Sequence, residues 1–299
     1  MKSEEILRRT SRSFYLTLRL LPRAMRGDAS LGYLLARATD TIADTSGRAP
    51  AQRAEILRTA VSSLGSPVLP GYDVAAWSAA QRDPAERDLL ASLPSLWRRM
   101  ADRPAPARAR LGAVLGSILE GQIFDLERFG PGAAPLTDEE LERYTFLVAG
   151  SVGEFWTDLG AAEMPRFSAK PADVMRGHAR RYGQALQLVN ILRDRRLDEA
   201  IGRVYVRSDD VARWAARARE WLGESGAYCE SLRSGRLRYA TLLPALLGWR
   251  TLSIDASRTP GELTPAKVSR AEVRRWMRRA LPVWWSRAAV ARLVREASA

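Results

Sequence analysis

The chain has 299 residues, of which 46% are hydrophobic and 27% are charged, a balance typical of globular proteins and not of disordered or fibrous ones. Its formal net charge is +13 and all but three of its 47 basic residues are arginines, so we expect an acidic partner: a phosphorylated small molecule, anionic lipid or nucleic acid. The single histidine, His178, leaves almost nothing from which to build a multi-histidine metal site or a Ser-His-Asp triad.

Apolar residues recur at intervals of three and four along nearly the whole chain, which predicts helices throughout and an all-α fold. A capping-box pattern from Thr137 to Glu140 predicts the start of one of these helices. No break is long enough to be a domain linker, so we expect one domain over residues 1–299, with a core of about 5–255 and a basic C-terminal helical segment of about 266–299. Proline and glycine gather in the breaks between predicted helices, which are residues 66–72, 102–106, 130–135, 164–171 and 257–265.

The N-terminal residues carry charges where a signal peptide would need an apolar stretch. No apolar run reaches the roughly 20 residues that cross a bilayer. The lone Cys229 cannot form an internal disulfide, which suits a reducing compartment. These features predict a cytoplasmic protein.

The first candidate site is a pair of carboxylates, Asp40 and Asp44, placed four residues apart. On a helix this spacing puts both on one face, about 6 Å apart along the axis. The preceding residues 31–36 (LGYLLA) are apolar, so this face is expected to turn inward, where unpaired carboxylates are costly. Mg²⁺ relieves both the repulsion and the desolvation, because it binds one or two carboxylates together with phosphate oxygens and water.

The second candidate site repeats the spacing, with Asp194 and Asp198 at the end of another apolar stretch, residues 183–193 (GQALQLVNILR). The alternative interpretation is that each pair is a solvated helix face. Two pairs that each follow an apolar helical run weigh against that alternative, but spacing alone does not exclude it.

Around these pairs the sequence resembles the squalene/phytoene synthase family, the head-to-head prenyl synthases. The resemblance covers roughly residues 5–255, and its stretches occur in the family's order and spacing. They are residues 11–15 (SRSFY), 33–44 (YLLARATDTIAD), 144–153 (YTFLVAGSVG), 186–194 (LQLVNILRD) and 202–205 (GRVY).

The resemblance implies a single isoprenoid-synthase-type helical domain whose central cavity is flanked by the two aspartate-bearing helices. It implies that Asp40, Asp44, Asp194 and Asp198 are catalytic residues that hold Mg²⁺ against substrate diphosphates. Tyr144 matches a catalytic tyrosine that assists proton removal or diphosphate departure. The positions that match substrate-binding residues of the family are Ser11, Phe14, Tyr33, Arg37, Gln187, Asn190, Arg193 and Tyr205.

Some of these residues have plainer interpretations. Arg37 lies three residues before Asp40 and could simply be its salt-bridge partner. The small residues at 148–153 either leave room for a long prenyl tail or allow two helices to pack closely. The chain also departs from the family at Leu197, where a glutamate is common, and residues 195–197 (RRL) are unusually basic there.

The stretch 11–14 (SRSF) with Leu21 and Pro22 is more similar to squalene synthases than to phytoene synthases. We therefore expect two farnesyl diphosphates to give presqualene diphosphate and then squalene with NADPH. Lys267 and Arg270 have a weak resemblance to a segment associated with that cofactor. The alternatives are a phytoene, dehydrosqualene or hydroxysqualene synthase, a terpene cyclase using the same cavity, and a basic nucleic-acid-binding or assembly-factor protein. The last has no reason to keep both aspartate pairs, so we expect no nucleic-acid partner.

The C-terminal residues 273–287 (VRRWMRRALPVWWSR) combine arginine with tryptophan. This combination suits an anionic membrane surface, and a hydrophobic product must leave toward lipid. The sequence thus predicts peripheral contact with the inner membrane surface, although ordinary packing of the tryptophans is the alternative. The oligomeric state is left open.

Overall fold

The computed structural model describes residues 2–11, 14–130, 132–256, 264–265 and 267–298. Helices make up 78% of the described residues, and the all-α prediction is confirmed. Within the described ranges there is no β-strand, and only an isolated bridge joins Ser168 to Leu232. None of the helices in these ranges has the length and apolar character needed to span a bilayer.

The chain folds into two compact units. Unit 1 comprises Met1–Arg19 and Arg23–Arg128, and unit 2 comprises Leu20–Pro22 and Phe129–Ala299. The expectation of a single domain over residues 1–299 stays a prediction.

Unit 1 is a group of helices packed around a central one, α3. Its helices are α1 (Lys2–Thr10), α2 (Phe14–Leu20), α3 (Arg23–Ala43), α4 (Pro50–Ser62), α5 (Val74–Ala79), α6 (Pro84–Ala101) and α7 (Ala105–Arg128).

The inner face of α3 follows the spacing expected from the sequence. Leu31, Leu34, Leu35, Ala38 and Ile42 are almost completely buried, and α3 packs against α4, α6 and α7. Burying each large aliphatic side chain contributes about 1.5–3 kcal/mol, so this stripe fixes the rotation of α3 about its axis. The opposite edge of the helix is therefore left for polar residues.

Unit 2 is built around its longest helix, α10. Its elements are α8 (Asp138–Thr145), a π-helix (Phe146–Gly150), α9 (Ser151–Glu163), α10 (Ala172–Ala200), a 3-10 turn (Ser208–Asp210), α11 (Val211–Ser231), α12 (Gly235–Ala256), α13 (Arg270–Arg279), a second 3-10 turn (Leu281–Trp284) and α14 (Ala288–Ser298). The capping box at Thr137 and Glu140 is present at the start of α8, as predicted.

Helix α10 packs against α8, the π-helix, α9, α11 and α12. Two glycines allow the closest of these approaches. A Cβ atom on Gly153 would overlap the carbonyl oxygen of Ala179, and one on Gly183 would overlap the carbonyl oxygen of Ala149. The small residues at 148–153 therefore serve close helix packing, which was the second of the two interpretations.

Candidate active site

The polar edge of α3 carries four of the predicted site residues. Tyr33, Arg37, Asp40 and Asp44 follow one another at spacings of four, three and four residues, so they share one helix face. Asp44 lies directly after the last residue of α3, and its backbone N–H donates to the Asp40 carbonyl at 2.9 Å. Tyr33 donates its hydroxyl to the Thr10 carbonyl at a long 3.4 Å. The side chains are half-buried or exposed, whereas the neighbouring apolar positions are buried.

Arg37 forms ion pairs with two carboxylates, Asp40 and Glu86, and the second distance is 2.6 Å. This arrangement is the salt bridge foreseen as an alternative to ligand contact. Protein around Asp40 desolvates its carboxyl and the charge of Asp44 adds to the effect, so the pKa of Asp40 rises to about 6 against the opposing effect of Arg37. The Asp40 side chain still exposes 44% of its surface, so nearby protein desolvates it without enclosing it.

A second polar stripe runs along α10. Gln187, Asn190, Asp194 and Asp198 follow at spacings of three, four and four residues and are all half-buried, so this helix face resembles that of α3. Asn190 donates to the Gln187 side-chain oxygen at 3.4 Å, which leaves both amides loosely held.

Two arginines beside this stripe have different partners. Arg193 donates from both Nε and a terminal nitrogen to the carboxylate of Asp194, with Nε to Oδ1 at 2.9 Å. Arg195 instead donates to both carboxylate oxygens of Asp255 in α12, at 3.0 and 2.8 Å. The basic run at 195–197 is thus partly neutralised by a residue that the sequence did not point to, and Leu197 is 45% exposed.

The end of α10 is fixed by a Schellman motif. The N–H of Gly202 donates to the Glu199 carbonyl at 3.0 Å, and the N–H of Arg203 donates to the Asp198 carbonyl at 2.8 Å. Gly202 has a φ of +82°, which only glycine adopts without strain. The motif therefore sets the position of Asp198 and directs the chain toward Tyr205.

Tyr144 and Tyr205, which the sequence placed 61 positions apart, stack in unit 2 with ring centroids 5.3 Å apart. Phe129 packs edge-on against Tyr205 at 4.8 Å. Both tyrosines are buried. The π-helix Phe146–Gly150 begins two residues after Tyr144, and such bulges occur frequently at functional sites.

The remaining predicted residues lie outside the two polar stripes and the tyrosine pair. Ser11 is buried, and its hydroxyl donates to the Leu7 carbonyl at the end of α1. The side chain of Phe14 lies outside the described residues. Lys267 and Arg270 are exposed, and Ser269 between them is the N-cap of α13, so this short motif acts as a helix start.

The carboxylates fit Mg²⁺ by their chemistry. Among the described residues no three His, Cys, Asp or Glu side chains cluster in a way that could hold a metal ion alone. Each pair instead supplies two hard oxygen donors, and Mg²⁺ typically completes its octahedron with phosphate oxygens and water. The first aspartate of each pair forms an ion pair with an arginine, Arg37 with Asp40 and Arg193 with Asp194.

Comparison with known proteins identifies the family. Residues 7–213 match the model of the squalene/phytoene synthase family. The chain belongs to this family. Its members are prenyltransferases, and the resemblance inferred from the motifs is confirmed.

Individual relatives extend this match. The bifunctional lycopene cyclase/phytoene synthase of Pyrenophora tritici-repentis is 30% identical over 74% of this chain and 34% of its own length. The phytoene synthase of Mycobacterium tuberculosis is 29% identical over 75% of this chain and 62% of its own length. The chain thus matches about a third of the fungal relative. The ligand complex of TcSQS, a squalene synthase, is 19% identical with a TM-score of 0.79, over 99% of this chain and 89% of that one, and supports the fold.

Sequence reasoning missed three residues of the site: Glu86, Asp255 and Phe129. Each lies far along the chain from its partner and belongs to no recognisable motif. Glu86 lies in the first turn of α6, where an acidic residue is ordinarily explained by the helix dipole. No signal in one sequence distinguishes that role from holding Arg37.

Proposed function

We propose that the protein catalyses the Mg²⁺-dependent head-to-head condensation of two farnesyl diphosphates to presqualene diphosphate and on to squalene. The observation that carries the proposal is the pair of polar helix edges: on α3 and on α10, two carboxylates follow at i and i+4, and the first of each holds an arginine. Family membership supports the same chemistry.

In this proposal Asp40 and Asp44 hold Mg²⁺ in unit 1, and Asp194 and Asp198 hold it in unit 2. The bound metal acts as a Lewis acid and template that neutralises the charge of a departing diphosphate. Arg37 pairs with Asp40, and Arg193 pairs with Asp194. Arginine presents a planar fork that matches phosphate oxygens, so these two side chains contact the diphosphate directly.

Gln187 and Asn190 lie two turns and one turn, respectively, before Asp194 on the same edge of α10. Because the one hydrogen bond that these amides form with described side chains is the long one between them, they are available to orient diphosphate oxygens. Ser11 and Phe14 are assigned to the entrance of the cavity and Tyr33 to its lining, as the resemblance implies.

Loss of diphosphate leaves an allylic cation that water would trap. Stacked aromatic rings exclude water and stabilise a cation through their faces, by roughly 0.5–2 kcal/mol each. Tyr144 and Tyr205 provide such rings, and both are buried. Tyr144 also carries a hydroxyl that can accept or relay the proton lost when the cyclopropane ring closes.

The proposed reaction balances in two steps. In the first, one diphosphate leaves, the carbon that carried it forms bonds to both carbons of the other substrate's allylic double bond, and that carbon loses one proton, which gives the cyclopropane of presqualene diphosphate. In the second, the remaining diphosphate leaves and a hydride from NADPH reduces the rearranged cation to squalene. Lys267 and Arg270 are exposed basic residues that could contact NADPH phosphates.

A second candidate is phytoene synthesis from geranylgeranyl diphosphate, in which a proton is lost in place of hydride addition. The curated relatives favour it, because those named above are phytoene synthases or contain one. Both candidates use the same aspartates and differ in chain length and in the need for a reductant.

Incubation of the purified protein with farnesyl or geranylgeranyl diphosphate and Mg²⁺, with and without NADPH, tests the proposal. We expect squalene from farnesyl diphosphate only with NADPH, and presqualene diphosphate without it. Phytoene from the longer substrate would support the second candidate, and a cyclised fifteen-carbon product would indicate a terpene cyclase. No product from either substrate, together with salt-dependent nucleic-acid binding, would overturn the enzyme assignment.

A cytoplasmic location with peripheral contact at the inner membrane surface is part of the proposal. Squalene is almost insoluble in water, so release directly into lipid removes the cost of hydrating it. Separation of membrane and soluble fractions after expression of the full chain tests this location.

A further inference from the structure

A groove in unit 2 shares no residue with either polar stripe. It has a volume of about 320 Å³ and is formed by α12, α13 and the second 3-10 turn. Its wall combines apolar and aromatic side chains with two arginines, and the lining residues are Tyr239, Arg274, Met277, Arg278 and Leu281. None of these residues is used by the proposed reaction.

Hydrogen bonds and an ion pair from α12 hold the other two elements of the groove. Tyr239 donates its hydroxyl to the Met277 carbonyl at 2.9 Å, and Arg250 pairs with Glu272 at 2.7 Å. Buried Arg238 donates to the Val283 carbonyl at 2.5 Å and to the Leu232 carbonyl at 3.0 Å. These contacts attach α13 and the second 3-10 turn to α12, so the backbone that carries the exposed side chains is fixed in position.

The charge on this surface is strongly positive. Residues 267–298 contain nine basic and two acidic residues, and both acidic residues are paired with arginines, Glu272 with Arg250 and Glu296 with Arg279. Arg274, Arg275 and Arg278 are exposed and have no acidic partner among the residues that the structure describes. Like charges at i and i+4, such as Arg274 and Arg278, destabilise a helix unless an anion lies between them.

Apolar side chains are exposed beside these charges. Trp285, at 80%, is the most exposed large hydrophobic residue in the described ranges, and Leu281 is 44% exposed. The Trp285 ring lies 6.5 Å from that of Trp284, which packs at 5.6 Å against Tyr239 of the groove. Trp285 thus extends the apolar surface of the groove toward solvent. Trp284 instead packs against the protein, which was the alternative to membrane contact for these tryptophans.

We propose that this surface, Arg274, Arg275, Arg278, Leu281 and Trp285, docks on an anionic phospholipid membrane. The arginines contact lipid phosphates, and Leu281 and Trp285 insert at the level of the headgroups. Charge complementarity carries the assignment: a helix fixed to α12, with three arginines that have no acidic partner in the described part of the chain and an exposed tryptophan beside them, matches the pattern of interfacial helices. The inference rests on the peripheral membrane contact in the proposed function and specifies the surface that makes it. It does not depend on the reaction catalysed, because no residue of the polar stripes takes part.

Flotation of the full-length protein with vesicles tests the proposal. One set of vesicles is pure phosphatidylcholine, and the other contains about a third phosphatidylglycerol, where each arginine near the surface contributes roughly fivefold to the partition coefficient. The test variants are R274Q/R278Q and W285S. The matched controls are R82Q/R98Q, which removes the same charge from exposed positions of unit 1, and V68S, which removes an exposed apolar side chain there.

We expect the unmodified protein to float with anionic vesicles and to remain in the bottom fraction with neutral ones. R274Q/R278Q should bind roughly 25-fold more weakly, W285S several-fold more weakly, and both controls within about twofold of the unmodified protein. Equal losses in R274Q/R278Q and R82Q/R98Q would show that net charge alone drives binding and would overturn the proposal. No binding to anionic vesicles, with a dimer in solution that W285S dissociates, would assign the surface to a second copy instead. Thermal melts of each variant establish that it is folded.

Discussion

Two glycines of α10 provide a sharp test of how this helix is positioned. Gly183 lies against the Ala149 carbonyl of the π-helix, and an added Cβ atom would overlap that oxygen. Gly177 lies on the same helix with no atom within 4 Å of where its Cβ would be. The same substitution should therefore have opposite effects at the two positions.

The magnitudes follow from two terms. Replacing glycine by alanine in a helix stabilises it by about 1 kcal/mol, because the unfolded chain loses conformational freedom. Overpacking costs about 1–3 kcal/mol, and the upper end applies at Gly183 because a backbone carbonyl cannot rotate away as a side chain can. Gly183→Ala should thus lower the free energy of unfolding by about 2 kcal/mol, and Gly177→Ala should raise it by about 1 kcal/mol.

Thermal denaturation followed by circular dichroism measures both effects. A difference of about 3 kcal/mol corresponds to roughly 6–12 °C in Tm between the two variants for a cooperative unit of 150–250 residues. If Gly183→Ala melted at or above the temperature of the unmodified protein, the close approach of α10 to the π-helix would be wrong. A changed product chain length in Gly153→Ala with an unchanged Tm would instead favour the view that these glycines make room for a prenyl tail.

Four further predictions concern the reaction. Asp40→Asn or Asp194→Asn should reduce kcat by roughly a thousandfold or more with an unchanged helical spectrum, because a metal ligand is worth several kcal/mol; turnover that survives in both would refute the site. The pKa of Asp40 is raised to about 6, so protons compete with Mg²⁺ for this carboxylate as the pH falls through 6. The Mg²⁺ concentration that gives the half-maximal rate should therefore increase below pH 6. A concentration that stays constant from pH 7 to 5 would contradict this prediction. Glu86→Gln should raise KM roughly fivefold and leave kcat nearly unchanged, because a partly exposed ion pair with Arg37 contributes about 1 kcal/mol. An unchanged KM would show that Glu86 does not belong to the site. Tyr144→Phe keeps the ring and removes the hydroxyl, so kcat should fall by roughly 10²–10⁴-fold. The free energy of unfolding should change by no more than about 1 kcal/mol. Full activity of this variant would show that Tyr144 contributes only packing.

The helices and the two aspartate pairs could be predicted because their signals are local. The spacing that buries Leu31, Leu34 and Leu35 is written in consecutive residues, and the capping box at Thr137 depends on a residue only three positions away. Local periodicity fixes the rotation of a helix, so it also placed the members of each polar stripe on one face. The site was predictable to that extent.

The partners of the charged residues could not be predicted in the same way. The sequence marked residues 195–197 as unusually basic, but it did not indicate that Arg195 pairs with Asp255, which lies 60 positions further along the chain. The π-helix at 146–150 gives no sequence signal either, since one inserted residue changes the hydrogen bonding and leaves the apolar spacing almost intact. Such features depend on tertiary packing, which a single sequence does not report.

The position of both aspartate pairs within their helices bears on what they bind. Asp44 directly follows α3, and Asp198 lies two residues before the end of α10. The carbonyl end of a helix carries a partial negative charge, so carboxylates there are repelled by the backbone as well as by each other. A solvated surface pair gains nothing from this placement, and the same residues at an amino end would have stabilised the helix. Arg37 and Arg193 offset part of the repulsion, each on the first aspartate of its pair. A cation bound by both members removes the remainder, and this favours a cation-binding site over a solvated helix face.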